Sequence, residues 1–134
     1  MPLTVQINSF SYKKSGIPKD ETENGGGFVF DCRFMNNPGR QTEFKEKHGK
    51  DTEIIEFLNA QDSMQGFLKN VYSIIDPAIE NFIERGFSNL MISFGCTGGQ
   101  HRSIYSAERT KEHILKKYPG VNVVVKHREF EHLN

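Results

Sequence analysis

Apolar residues alternate with polar ones in some stretches of this chain and recur every three or four positions in others. The two rhythms divide it into strands and helices. Leu3-Thr4-Val5-Gln6-Ile7 alternates and predicts a first strand, which Ser9-Phe10-Ser11-Tyr12 either extends or leaves for a loop. Lys13 to Pro18 has turn chemistry, and Lys19 to Gly27, closing on three glycines, reads as a mobile polar loop. Phe28 to Phe34 predicts a second strand with Phe28, Phe30, Cys32 and Phe34 on one face and Val29, Asp31 and Arg33 on the other. Residues 42–50 are charged and suggest a short helix. After the Gly49-Lys50-Asp51 break, Asp51 or Thr52 is placed to cap a helix over Glu53 to Asn59.

The longest periodic stretch is Met64, Phe67, Leu68, Val71, Ile74, Ile75, Ala78, Ile79, Phe82 and Ile83, one buried face of a long helix. Asp62 and Gln65 have the spacing of a capping box, Gly86 suits the position just past the helix end, and Pro77 predicts a kink or a break into two helices. The apolar run Leu90 to Phe94 predicts a third strand, and Ile104 to Tyr118 a helix stopped by Pro119-Gly120. Val121 to Val125 predicts a last strand, apolar enough to be central. Strands separated by helical stretches give an α/β fold. We expect three layers, with a small, mostly parallel sheet of about four strands flanked by helices, in one domain over residues 1–134.

Composition narrows the class. Seventeen basic residues balance seventeen acidic ones, so a general nucleic-acid surface is not expected and any RNA contact must be local. Two cysteines, Cys32 and Cys96, cannot build a secreted disulfide framework. With no signal-like or membrane-length apolar run, a reducing cytoplasm is the expected location and no membrane partner is expected. No His, Cys and carboxylate spacing resembles a metal site, and no cofactor is expected.

The candidate chemistry lies between the third strand and the helix after it, in Gly95-Cys96-Thr97-Gly98-Gly99-Gln100-His101-Arg102-Ser103. Adjacent glycines allow a tight turn with exposed N–H groups, and the helix start adds unpaired N–H groups and the positive end of its dipole. Together these favour an anion, most simply phosphate, which His101 and Arg102 can also bind. Two further polar clusters, Asp31 with Arg33 and His127 with Arg128, fall near the C-terminal ends of other predicted strands. If those strands are parallel, the three clusters share the edge where open α/β sheets bind ligands. Cys96, Thr97, Gly98, Gly99, Gln100, His101, Arg102, Ser103, Asp31, Arg33, His127 and Arg128 are therefore the candidate ligand residues. Asp31 and Arg33 can equally form an ion pair of their own, and Cys32 reads as core.

The same loop admits an enzymatic reading. Cys96 to Ser103 fits the CxxGxxR[ST] pattern of cysteine-dependent phosphatases, in which a thiolate attacks phosphorus while loop amides and the arginine hold its oxygens. Cys96 would be the nucleophile and Asp31 the general acid. Gly95 stands where such enzymes usually carry histidine, which favours binding over catalysis.

The loop also resembles the GCTGGQHRS signature of the RapZ family, in its C-terminal domain. Ser9-Phe10 with Gly16-Ile17-Pro18, Phe30-Asp31-Cys32-Arg33-Phe34 with Asn37-Pro38, Gly49-Lys50-Asp51, and His127-Arg128-Glu129 resemble that family's SFxxKxGxP, FDVRFxxNP, TGxD and HRD segments in order. The resemblance implies an α/β domain that binds a phosphorylated small molecule such as a sugar phosphate and acts as a regulator. It further implies RNA or a protein as partner, either a ribonuclease or a separate P-loop protein; a homo-oligomer stays open. The chain contains no GxxxxGK[ST] pattern, so nucleotide hydrolysis is not carried over. Its last residues are mixed in charge where RNA-binding regulators often carry a basic tail.

Overall fold

The computed structural model describes residues 2–24 and 26–134; of the three glycines closing the first long loop, Gly25 lies outside the described residues. The strands are β1 (Thr4–Ser11), β2 (Gly27–Asp31), β3 (Asn89–Cys96) and β4 (Asn122–His127). The helices are α1 (Thr52–Asn59), α2 (Asp62–Glu84) and α3 (Arg102–Lys117). Single 3₁₀ turns occur at Pro38–Arg40, Thr42–Phe44 and Glu131–Leu133.

All strand pairs are parallel, in the order β2-β3-β1-β4. The sheet expected from the alternating stretches is therefore present, but β4 lies at an edge. Val123 and Val125 pack on the helices while Val124, between them, is exposed on the other face. A run of valines marks a strand without saying how many neighbours it has.

The sheet order decides which face each connection covers. The β2-to-β3 and β3-to-β4 crossovers step the same way across the sheet, so right-handed connections put α1, α2 and α3 on one face. There Val5, Ile7, Leu90, Ile92 and Phe94 form one core with Met64, Leu68, Val71, Ile75 and Ile79 of α2 and Tyr105, Ala107 and Ile114 of α3. Full burial of each such aliphatic side chain contributes roughly 1.5–3 kcal/mol before entropic costs. The β1-to-β2 connection steps back and carries no helix among its described residues. Asp20, Thr22, Asn24 and Gly26 of it share a small hollow with Gln6 and Met91 of the opposite face. The expected third layer is thus loop rather than helix. This loop has an organising residue: Asp20 accepts from Thr22 N at 2.9 Å, Thr22 Oγ1 at 2.6 Å and Asn24 N at 2.8 Å. Those bonds, the Thr22 hydroxyl foremost, pull its carboxyl down to about 2.

Helix α2 runs unbroken through Pro77 instead of splitting there. The residue before a proline resists helical backbone. Here that residue, Asp76, is fastened by His113 Nε2 at 2.8 Å and Lys117 Nζ at 2.9 Å, both on α3. The expected capping box is absent: Gln61 is the N-cap, and Gln65 Nε2 instead donates to Leu58 O and the Tyr105 hydroxyl. Asp51 does cap α1 by position, but its carboxylate accepts from His48 N rather than from the helix. At the far end of α2, Gly86 has φ +72° and donates to Ile83 O, Phe87 N donates to Phe82 O, and the two Phe rings meet edge-on at 5.0 Å. That is a complete Schellman stop. Phe34, expected on the core face, lies beyond the end of β2 and is exposed, edge-on to Phe67. No helix among the described residues is long and apolar enough to cross a membrane.

Candidate functional site

The glycine loop leaves the end of β3, in the middle of the sheet, and delivers the chain to the first turn of α3. Two of its glycines are dictated by neighbours. Gly99 has φ +64°, and a Cβ there would come within 2.6 Å of Glu129 Cγ and 3.0 Å of backbone atoms of Phe10 and Ser11. Gly95 lies under aromatic rings: a Cβ would strike Phe10 and approach Tyr12 Cε2 to 2.5 Å. Gly98, by contrast, has open space beside it.

The loop is anchored on both sides. Ser11 Oγ donates to Thr97 O at 2.5 Å. Gln100 Nε2 donates to the carbonyls of Lys45 and Lys47, each at 2.7 Å, and Gly49 N donates to Gln100 O at 2.9 Å. Gly49 presses against the first turn of α3, where a Cβ would lie 2.5 Å from Tyr105 N and 2.6 Å from His101 O. His101 Nε2 is 2.9 Å from Phe44 O. Burial pushes its ring below the usual histidine range, with the Phe44 carbonyl opposing, so the neutral ring is favoured.

Above the loop is a cavity of about 210 Å³ lined by Asn37, Gly39, Lys45, Cys96, Thr97, Gly98, Gln100, His101 and Arg102. Three features mark its floor. The N–H groups of Gly98, Gly99, Gln100 and His101 have no protein hydrogen-bond partner among the described residues. No side chain caps α3, whose N-cap is His101. Arg102 is only 3% exposed and its Nε is buried without a partner. The guanidinium is not wholly free: Nη1 donates to Arg33 O at 2.8 Å and to Met35 O at 2.7 Å, tying the chain after β2 to α3. Ser103 is fully buried and its hydroxyl accepts from Cys96 Sγ at 3.1 Å.

The other two predicted clusters do not line this cavity. Asp31 pairs in register with Gly95, so it faces away from Cys96, on the other side of the sheet. It takes a forked ion pair from Arg33, with Nε at 2.9 Å and Nη2 at 2.6 Å, and Arg33 stacks 3.8 Å above the Tyr12 ring. Arg33's hydrogen bonds hold the Asp31 carboxyl below its ordinary range. His127 turns toward the helices. Its Nδ1 is 2.7 Å from Ser9 Oγ and its Nε2 is 2.8 Å from Glu108 Oε2. Arg128 donates its backbone N–H to Ser9 O.

Sequence reasoning missed four residues near the loop. Asn37, Gly39 and Lys45 line the cavity; the Asn37-Pro38-Gly39 turn directly after the second predicted strand was the available signal. Glu129 accepts from Ser11 N at 3.0 Å and from Ser15 Oγ at 2.9 Å, and it covers Gly99. It is the acidic residue of the His127-Arg128-Glu129 segment, the third position of a motif whose first two drew attention.

A parallel sheet with an uncapped, glycine-rich strand-to-helix loop at its C-terminal edge defines the class: an α/β domain whose candidate site lies at that edge. Comparison with known proteins then identifies the family. The family model described as the RapZ C-terminal domain matches residues 3–131, and the chain belongs to that family. A protein named nucleotide-binding protein in Fervidobacterium nodosum is 38% identical over 129 residues, covering 96% of this chain and 43% of that protein. One so named in Hahella chejuensis is 39% identical over 127 residues, covering 95% of this chain and 42% of its own length. The chain therefore spans less than half the length of these relatives.

Proposed function

We propose that this chain is a regulatory binding module for a phosphorylated small molecule, a sugar phosphate by preference. The phosphate would sit on the amides of Gly98 to His101, against Arg102 Nε and within reach of Lys45. The buried, unpartnered Nε of Arg102, a residue that lines the cavity, is the observation that carries this reading: an arginine N–H taken out of water and left unbonded is costly unless an acceptor joins it. The cavity of about 210 Å³ is small for a whole nucleotide and suited to a phosphate with a small body. The name of the relatives describes chains more than twice as long as the part matched here. Ligand binding would be read out by RNA or by a protein partner, which the charge balance confines to a local contact.

The phosphatase reading has less support. Asp31 faces the other side of the sheet, Arg102 spends Nη1 on two carbonyls, and the ring packing over Gly95 leaves no room for histidine before Cys96.

The test is calorimetric titration with inorganic phosphate and a panel of sugar phosphates, together with thermal melting. Saturable binding by the wild type and its loss in Arg102→Ala are expected. No binding by any of them would overturn the proposal, and Cys96-dependent release of phosphate from an aryl phosphate would replace it with the phosphatase reading. A gel shift across salt concentrations tests the RNA arm. Retardation that vanishes at physiological salt with no sequence preference would remove it.

A further inference from the structure

Cys32 and Cys96 are both buried and both free, on neighbouring strands. Asp31 pairs with Gly95 and Cys32 N donates to Gly95 O at 2.7 Å, so the parallel register continues one step to set Cys32 beside Cys96. Adjacent strands are about 4.8 Å apart, inside the Cα separation a disulfide spans. The two side chains share the helix-facing side of the sheet and reach the same part of α3. Cys96 Sγ donates to Ser103 Oγ at 3.1 Å, and Cys32 Sγ lies 3.8 Å from Ser106 Oγ. Ser103 and Ser106 are three residues apart and therefore neighbours on one helix face. The two differ in position: Cys96, 2% exposed, is a lining residue of the cavity of about 210 Å³, and Cys32, fully buried, is not. That space exceeds what a water-sized molecule needs, so a hydroperoxide can enter.

We infer that Cys32 and Cys96 form an intramolecular dithiol that a hydroperoxide oxidises to a disulfide, and that closing it disables the neighbouring cavity. Cys96 reacts first. Its thiol loses a proton, the sulfur attacks one peroxide oxygen, the O–O bond breaks, and the departing hydroxide takes the proton as water. The Cys32 thiol then attacks the sulfenic sulfur, losing its own proton. The S–OH bond breaks and that hydroxide also leaves as water. Two thiols and one hydrogen peroxide give one disulfide and two waters, with two electrons passing from sulfur to oxygen. Burial pushes the Cys32 thiol up, which suits the resolving partner better than the initiating one. Drawing Cys96 sideways to Cys32 breaks its bond to Ser103 and moves the last residue of β3, from which the loop leaves. The disulfide stands without the phosphate reading; only the effect on the cavity rests on it.

The experiment treats the reduced, desalted chain with hydrogen peroxide in the presence of dimedone, then measures intact mass and maps peptides without reduction. The wild type should become lighter by two hydrogens, yield a Cys32–Cys96 linked peptide and revert with dithiothreitol. Cys32→Val, which restores the residue of the similar family segment, should instead trap dimedone on Cys96. A dimedone adduct on Cys96 in the wild type, a disulfide-linked dimer, or two unreacted thiols would each overturn the inference. Titration with inorganic phosphate then compares the two forms, and the oxidised one should bind at least about tenfold more weakly. Equal binding overturns the effect on the cavity. A mapped disulfide in a chain that binds phosphate in neither form would sink the function proposed above and leave the redox chemistry standing.

Discussion

Arg102 donates to the carbonyl of Met35 across 2.7 Å and, with the same nitrogen, to that of Arg33. One buried guanidinium thus holds the segment leaving β2 against the start of α3, while its Nε is buried without a partner. Arg102→Ala should destabilise the fold by roughly 2–4 kcal/mol, because two carbonyls lose a charged donor and a buried volume empties. Arg102→Lys should recover part of that stability, because an ammonium can still donate to a carbonyl but is not a planar guanidinium. Urea denaturation measures the cost. Arg102→Ala with unaltered stability would mean that the two carbonyl bonds contribute nothing.

The paired glycines of the loop should respond oppositely to a methyl group. Gly99→Ala forces a side chain onto positive φ and against Glu129 and the end of β1, and should cost about 1–3 kcal/mol. Gly98→Ala adds its methyl to open space and should stay within about 0.5 kcal/mol. Thermal melting of both variants distinguishes a loop shaped by packing from one that merely needs flexibility, in which case the two would fall together.

Restoring the phosphatase-like residue should not create a phosphatase. Gly95→His places a side chain where the Phe10 and Tyr12 rings lie, edge-on to each other at 4.8 Å. The expected result is a protein destabilised by about 2 kcal/mol or more with no hydrolysis of an aryl phosphate. A folded, active variant would reverse the assignment of the loop.

The Ser9–His127–Glu108 chain predicts a pH dependence. The hydrogen bond from His127 holds Glu108 below the ordinary carboxylate range, with burial opposing it. A carboxyl lowered by folding contributes stability that is complete above its unfolded value and is lost as pH falls through the lowered folded value. Glu108→Gln lacks that contribution. Wild type should exceed it by on the order of 1–2 kcal/mol at neutral pH, with the gap closing in acid below the usual glutamate range. A gap that widens on acidification, read from urea midpoints across pH, contradicts the assignment.

The periodic signals were strong enough to show the four strands, the helix over residues 64–83 and the loop at the end of β3, because each rests on local alternation. What escaped is set by neighbours that local pattern does not contain. Pro77 is carried through α2 because His113 and Lys117 arrive from α3. Val121 to Val125 reads as a central strand because the sheet order is not written in it. The three polar clusters lie near strand ends along one edge, but an edge has two faces. Alternation along Phe28 to Phe34 already separated Asp31 and Arg33 from Cys32; what was missing was that Cys32, not Asp31, shares its side with Cys96. His127 faces the helices too, and there Ser9 and Glu108 occupy it.

Gln100 gives the loop a mechanical reach beyond its own length. Its amide grips the carbonyls of Lys45 and Lys47, its own carbonyl is held by Gly49, and the Asp51 that begins α1 is two residues further on. Three hydrogen bonds therefore join the loop to residues 45–49, and through them to the start of α1, a part of the surface that an occupant of the cavity need never touch.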